Sequence, residues 1–190
     1  MNREQIITDV RPQMPEARWL HTEGVMATAK KLAELYGEDS QRAEMAAIIH
    51  DVAKYWSVNA QAEYIEQHQL NTQLLQYDKE LWHAEIGAHL ALHKYEIKDE
   101  QIGNAIRYHT SGRANMSKLE KIVWLADYIE PTRAFPGVEI ARELAEQSLE
   151  KAILFGLDQT LTFLINKGKV IYPKTMEARN DILKQIKQEA

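Results

Sequence analysis

The chain of 190 residues has no cysteine, which excludes disulfides, iron–sulfur clusters, thiolate zinc sites and thiol nucleophiles. Any metal must therefore be held by nitrogen and oxygen ligands. Long apolar runs are missing too: no segment approaches the ~20 apolar residues that a membrane helix needs, and the opening MNREQIITDVRPQMPEARW has no signal-peptide core. The expectation is a soluble, cytoplasmic protein with no membrane partner. Basic blocks are also lacking. With a formal net charge of -5 and no Lys/Arg cluster, the chain does not carry the footprint of a phosphate-backbone binder, so no nucleic-acid partner is expected. Several catalytic templates are absent: a G-x-S-x-G elbow, a glycine loop ending in GK[ST], a dinucleotide fingerprint and H-E-x-x-H. HTSG at 109–112 is not a nucleophile motif. Strand alternation is lacking everywhere except in GKVIYPKT at 168–175.

What is present is helical periodicity over nearly the whole length, which predicts an all-α fold in a single domain spanning 1–190, with a short extended segment near 169–174. After a short first helix, Pro15 opens a long one that ends near Gly37, and Asp39 or Ser40 caps a helix running through His50. Ser57 starts a third long helix, about Asp78 to Tyr95 forms a fourth, and Asp99 begins a fifth that stops at HTSG. The stretch SKLE at 117–120 reads as a capping box, with Met116 as its apolar staple, opening a helix through Asp127 that Pro131 terminates. Further helices follow from Val138, from Ser148 to the Gly168 stop, and after Thr175.

Against this background some polar residues stand out. At about 100° per residue, His21 shares an inward stripe with Val25, Thr28, Ala29 and Leu32. His50 lies among Ala43, Ala46 and Ala47, small residues that let another helix approach, with Asp51 at the edge of that stripe and Lys54 one turn on. Asp127 follows Val123 inside the apolar run KIVWLADYIEPTR. Burying a carboxylate or an imidazole is costly unless it is paired, hydrogen-bonded or metal-bound. Taken singly, each is more often a satisfied structural residue than a ligand. Taken together, two imidazoles and two carboxylates form a nitrogen and oxygen set suited to iron, manganese, zinc or cobalt. His89 and His93 form an i, i+4 pair, but helical geometry turns them away from His83, and they read as surface or packing residues, as does His68.

The order His21, then His50 with Asp51, then Asp127 resembles the H…HD…D signature of the HD-domain phosphohydrolase superfamily. LWHAEIGA with His83, IRYHTSG with His109, and LADYIEPTR with Asp127 and Arg133 are similar to its YqeK-type branch of symmetrical diadenosine tetraphosphate hydrolases. Arg18, HDVAK and KVIYPKT extend the resemblance over essentially the whole chain, without a departure at the metal positions.

The resemblance implies an HD-type helical bundle in which His21, His50, Asp51 and Asp127 bind a metal ion, iron in the first place, with Mn, Co, Zn or Mg as alternatives. It further implies a nucleotide site lined by Arg18, Lys54, His83, His109, Thr110, Arg133, Val170, Ile171, Tyr172, Pro173, Lys174 and Thr175. Asp51, Lys54, His83 and His109 are its candidates for catalysis. His83 and His109 have two readings: a second metal site, to which Glu85 could contribute, or hydrogen bonds to substrate phosphates and the leaving group, the reading preferred here. The implied reaction cuts diadenosine tetraphosphate symmetrically into two ADP through metal-activated water, so the expected partner is a dinucleoside polyphosphate or an ADP-like molecule. A homodimer is compatible with the sequence. Two alternatives remain open: an HD phosphohydrolase acting on a nucleoside monophosphate or a guanosine alarmone, and a non-catalytic nucleotide sensor.

Overall fold

The computed structural model describes residues 1–189. Ten α-helices, joined by turns and three short 3-10 segments, make up its regular structure, and no strand occurs among the described residues. The helices are α1 (Arg3–Val10), α2 (Glu16–Tyr36), α3 (Ser40–Ile49), α4 (Val58–Gln67), α5 (Trp82–His93), α6 (Glu100–Tyr108), α7 (Lys118–Ile129), α8 (Val138–Ala145), α9 (Leu149–Asn166) and α10 (Pro173–Glu189). No described helix is long and apolar enough to cross a membrane.

Local sequence explains where most helices begin and end. Asp39 accepts from the backbone N–H groups of Gln41 and Arg42, and Ser57, Asp99 and Ser148 cap α4, α6 and α9 in the same way. Ser117 and Glu120 form a reciprocal capping box on α7, with both bonds between 3.2 and 3.3 Å. The staple is not formed in the usual sense. The residue that it would meet, four positions into α7, is Lys121, and Met116 is buried beside Gly112 instead.

Two sequence expectations need correcting. The helix of His50 does not carry on to Lys54: α3 stops at Ile49, and i to i+3 bonds from Val52 to Ile49, Lys54 to Asp51 and Trp56 to Ala53 fold the next residues into successive turns. Lys54 is thus placed by a turn and not by a helix face. The extended piece near the C-terminus is also shorter than expected. Residues 169–172 are irregular and unpaired with any strand, while Pro173, Lys174 and Thr175 already belong to α10, because proline at the first helical position needs no N–H partner.

Small residues set the spacing around the core. Ala43, Ala46 and Ala47 on α3 and Ala29 and Ala33 on α2 are all fully buried where these two helices pack. Helix α7, whose face from Leu119 to Ala126 is almost wholly buried, packs against α2, α3, α6 and α9 and forms the centre of the bundle. At Gly87 on α5 a Cβ atom would lie 3.1 Å from Ile106 Cγ2 and 3.5 Å from the backbone oxygens of Ile49 and His50. Its lack of a side chain therefore brings α5, one turn after His83, against the end of α3. The ends of α3 and α6, the second turn of α2 and the last turn of α7 converge near that place.

Candidate metal and nucleotide site

Five elements deliver six polar side chains to one buried point. His21 comes from α2, His50 and Asp51 from the end of α3, His83 from the first turn of α5, His109 from the end of α6 and Asp127 from α7. Asp51 is the hub. Its Oδ2 lies 3.4 Å from His50 Nε2, 3.8 Å from His21 Nε2 and 3.0 Å from Arg18 Nη1. Its Oδ1 faces the other way, 3.0 Å from His83 Nε2 and 3.7 Å from His109 Nε2. Asp127 Oδ1 lies 3.0 Å from His21 Nε2 and 3.9 Å from His50 Nε2. Donor atoms of His21, His50 and Asp127 all fall within 4.8 Å of one another, as do those of His50, Asp51 and His109.

The imidazole tautomers follow from their other nitrogens. His50 Nδ1 is 2.6 Å from the carbonyl of Ala47, and His109 Nδ1 is 2.7 Å from that of Ile106. A carbonyl only accepts, so both Nδ1 atoms carry the proton. His21 Nδ1 likewise donates to Glu130 Oε1 at 2.9 Å. In its neutral form each of the three rings therefore turns a bare Nε2 lone pair into the cluster. The Nε2 atoms of His21 and His50 are buried without a hydrogen-bond partner, and the nearest groups are carboxylate oxygens, which are also acceptors. Lone pairs facing lone pairs in a dry site repel unless a cation lies between them. Either a bound metal or an added proton meets that need, and the donor set fits a metal of intermediate hardness.

Charges follow the same logic. Burial pushes the Asp51 and Asp127 carboxyls up, but the imidazoles around them, and Arg133 in the case of Asp127, hold both well below the usual carboxylate range. Burial pulls His50 down, yet the two aspartates outweigh it and raise its pKa. His83 behaves differently, because burial dominates and pushes it down to about 4. His83 is therefore neutral, and since His109 keeps its proton on Nδ1, the 3.2 Å contact between the two Nε2 atoms is made by a proton on His83.

Cations line the rim. Arg18 reaches Asp51, and Arg133 donates from Nη2 to Asp127 Oδ1 at 2.6 Å and from Nε to the Asp127 carbonyl. Lys54 is bound to Glu80 at 2.6 Å and lines a cleft together with His109, Thr110 and Arg133. The segment 170–175 lies further out. Lys174 Nζ stands 5.9 Å from the ring centre of Tyr108, the neighbour of His109. The hydroxyl of Tyr172 accepts from Asn71, and its ring meets Tyr77 edge-on. Val170 is exposed, Ile171 and Pro173 make no polar contact, and Thr175 is buried. Glu85, a candidate for a second metal, instead pairs with Arg107 at 3.1 Å. His68, His89 and His93 stack with one another and with Tyr64 on the outside of α4 and α5, away from the cluster.

Sequence reasoning missed Glu130. Its side chain is fully buried, accepts from the N–H and hydroxyl of Thr132 as well as from His21, and is held ionised against burial by those three bonds. It fits because of Gly24, where a Cβ atom would stand 2.5 Å from Glu130 Oε2.

A cluster of histidines and aspartates gathered in this order on a helical bundle defines a metal-dependent hydrolase site. In agreement with it, a family model described as HD domain matches residues 18–132, and the chain belongs to the HD-domain family. It is similar to proteins named bis(5'-nucleosyl)-tetraphosphatase, symmetrical. The Bacillus subtilis protein is 46% identical over 180 residues, covering 95% of this chain and 97% of that one. The Halalkalibacterium halodurans protein is 48% identical over 183 residues, covering 96% and 98%. Among solved structures, a predicted HD superfamily hydrolase involved in NAD metabolism from Clostridium acetobutylicum superposes with a TM-score of 0.92 at 38% identity, covering 97% of this chain and 98% of that one.

Proposed function

We propose that this chain hydrolyses diadenosine tetraphosphate symmetrically to two ADP, with a cation held by His21, His50, Asp51 and Asp127. The observation that carries the reading is the pair of buried Nε2 atoms of His21 and His50, left without a hydrogen-bond partner and aimed at carboxylate oxygens. The names of the relatives supply the substrate. Iron is the cation we place first, and the nitrogen and oxygen donors also suit Mn, Co, Zn or Mg. Bound there, the cation would supply Lewis acidity and would lower the pKa of water toward neutrality.

The remaining chemistry belongs to the protein's own groups. Arg18 and Arg133 flank the carboxylates and present cationic N–H groups to the phosphates on either side of the bond that breaks. Lys54 exchanges its partly exposed Glu80 partner for a phosphate oxygen. Neutral His83 turns its Nε2 proton from His109 to an oxygen of the phosphoryl group under attack, leaving His109 Nε2 as an acceptor beside it; Thr110 and the segment 170–175 contact the nucleotide. In-line attack at the second phosphate from one adenosine expels ADP from the other side, and the water oxygen ends in the first ADP.

The test is metal analysis of the purified protein, followed by product identification in ¹⁸O-labelled water. Cleavage to ADP alone, with one labelled oxygen in half of it, supports the reading. ATP plus AMP would overturn the symmetrical cut. A metal-loaded protein that binds nucleotides but turns over none of a panel including monophosphates and guanosine alarmones would make the chain a sensor.

A further inference from the structure

Two clefts open onto the ligand cluster, and the loop 131–137 stands between them. One, of about 250 Å³, lies beside Lys54, Thr110 and Thr160. The other, of about 430 Å³, lies beside Arg18 and Tyr55, and Arg133 and Phe135 line both. The substrate under the reading above has the same twofold layout: two identical nucleosides joined by phosphates whose centre sits at the cation. Held at its middle, such a molecule must send one adenosine out through each opening. The nucleotide contacts assigned so far, Lys54, His109, Thr110 and the segment 170–175 beside Tyr108, all belong to the first cleft or its side of the bundle. The second has only its arginines.

Tyr55 is what the second cleft offers. It stands in the run of turns after α3 with half of its surface exposed, 50%. A large aromatic left so open contributes little to the core. The Arg18 guanidinium lies 5.9 Å from the centre of its ring and donates to Asp51 Oδ2 at 3.0 Å, so the tyrosine is tied to the wall of the metal cluster. Across the cleft, Phe135 is braced edge-on by Tyr128 at 4.9 Å. A cleft of this volume falls in the range that takes a nucleoside-sized ligand, and a purine face on an exposed aromatic beside an arginine is a favourable stack.

We propose that the cleft beside Arg18 is the second nucleoside site, with the adenine of one ADP half stacked on Tyr55 and its phosphates passing Arg18 and Arg133. This rests on the diadenosine tetraphosphate reading, and it makes Tyr55 a determinant of preference for substrates with two nucleosides.

The test compares diadenosine tetraphosphate with adenosine 5'-tetraphosphate, which has the same phosphates and one nucleoside, taking the affinity of the latter as KM or as an inhibition constant. Tyr55→Ala should lower kcat/KM for the dinucleotide by roughly 5- to 100-fold, mainly through KM. The mononucleotide's affinity should change less than about twofold, and Tyr55→Phe, which keeps the ring, should recover most of the loss. An equal loss on both compounds, or none on either, overturns the site while leaving the reaction intact. A wild-type enzyme loaded with metal that fails to cleave diadenosine tetraphosphate removes the functional reading, and the second site with it.

Discussion

Glu130 Oε1 accepts the Nδ1 proton of His21 at 2.9 Å, and both side chains are shut off from solvent. The bond decides which nitrogen of His21 faces the cluster and increases its basicity, the usual role of a carboxylate behind a metal-ligating imidazole. Glu130→Gln keeps the shape and can still accept from Nδ1, but it removes the charge. Metal affinity, measured by competition with a chelator, should fall about 10- to 100-fold while the far-UV spectrum stays helical. Unchanged affinity would reduce Glu130 to a cap of the Thr132 turn.

Gly24 and Glu130 should be coupled in sign. Glycine inside a helix such as α2 costs about 1 kcal/mol relative to alanine, so Gly24→Ala in isolation should stabilise. Here the new methyl would meet Glu130 Oε2 and drive the carboxylate from His21 and Thr132, and charge-assisted bonds of that kind are worth about 1.5–3 kcal/mol each. Gly24→Ala should therefore destabilise the wild type yet stabilise the Glu130→Ala variant. Urea unfolding of the four members of the cycle measures this. Stabilisation of similar size in both backgrounds would show that the carboxylate moves aside freely.

The gathering of the proposed ligands was legible in the sequence because they break an apolar pattern: His21, His50 and Asp127 each interrupt a stripe that otherwise buries carbon. Glu130 breaks none. In DYIEPTR it stands just past a helix end next to a proline, where a charge normally meets water, and only the absent side chain of Gly24, more than 100 residues earlier, makes room to bury it. Lys54 was misplaced for a related reason. Periodicity continues smoothly through IIHDVAK, but the chain tightens into turns as it passes Asp51, which neither propensity nor pattern records. The early start of α10 did leave a mark, Pro173, which the β-branched run before it concealed.

At the far side of the bundle, Asp9 ties α1 to the end of α5. Its Oδ2 accepts from the hydroxyl of the fully buried Tyr95 at 2.8 Å and from Lys94 at 2.6 Å. Burial pushes the Asp9 carboxyl up, but Lys94, Tyr95 and Gln13 outweigh it and lower it, while burial and Asp9 raise the Tyr95 phenol above its usual 10. A lowered carboxyl adds stability that is present above pH ~4 and lost as pH falls through its folded value. A raised phenol makes the unfolded chain ionise first, so stability falls as pH climbs above ~10. Tyr95→Phe should cost about 1 kcal/mol at pH 7 and flatten the alkaline limb, leaving most of the acid one, as followed by denaturant unfolding from pH 3 to 11. An alkaline limb as steep as in the wild type would place its origin elsewhere.

Lys54 and Arg133, both placed by the sequence in the nucleotide site and not among the metal ligands, should separate on substitution. Lys54 touches no ligand: its partner Glu80 is largely exposed, and exchange of that pair for a phosphate costs little. Lys54→Met should keep stoichiometric metal and lose about 1.5–3 kcal/mol of transition-state stabilisation on diadenosine tetraphosphate. On p-nitrophenyl phosphate, too short to reach from the cation to Lys54, it should lose little. Arg133 grips Asp127 twice, through its carboxylate and its carbonyl, so Arg133→Met frees a carboxylate proposed to hold the cation as well as removing a proposed phosphate contact. It should lose metal affinity and activity on both substrates. Metal content by elemental analysis, read beside the two rates, separates the cases. Full metal retention in Arg133→Met would restore Arg133 to a pure phosphate contact, and equal losses on the two substrates in Lys54→Met would place Lys54 at the reacting phosphoryl group.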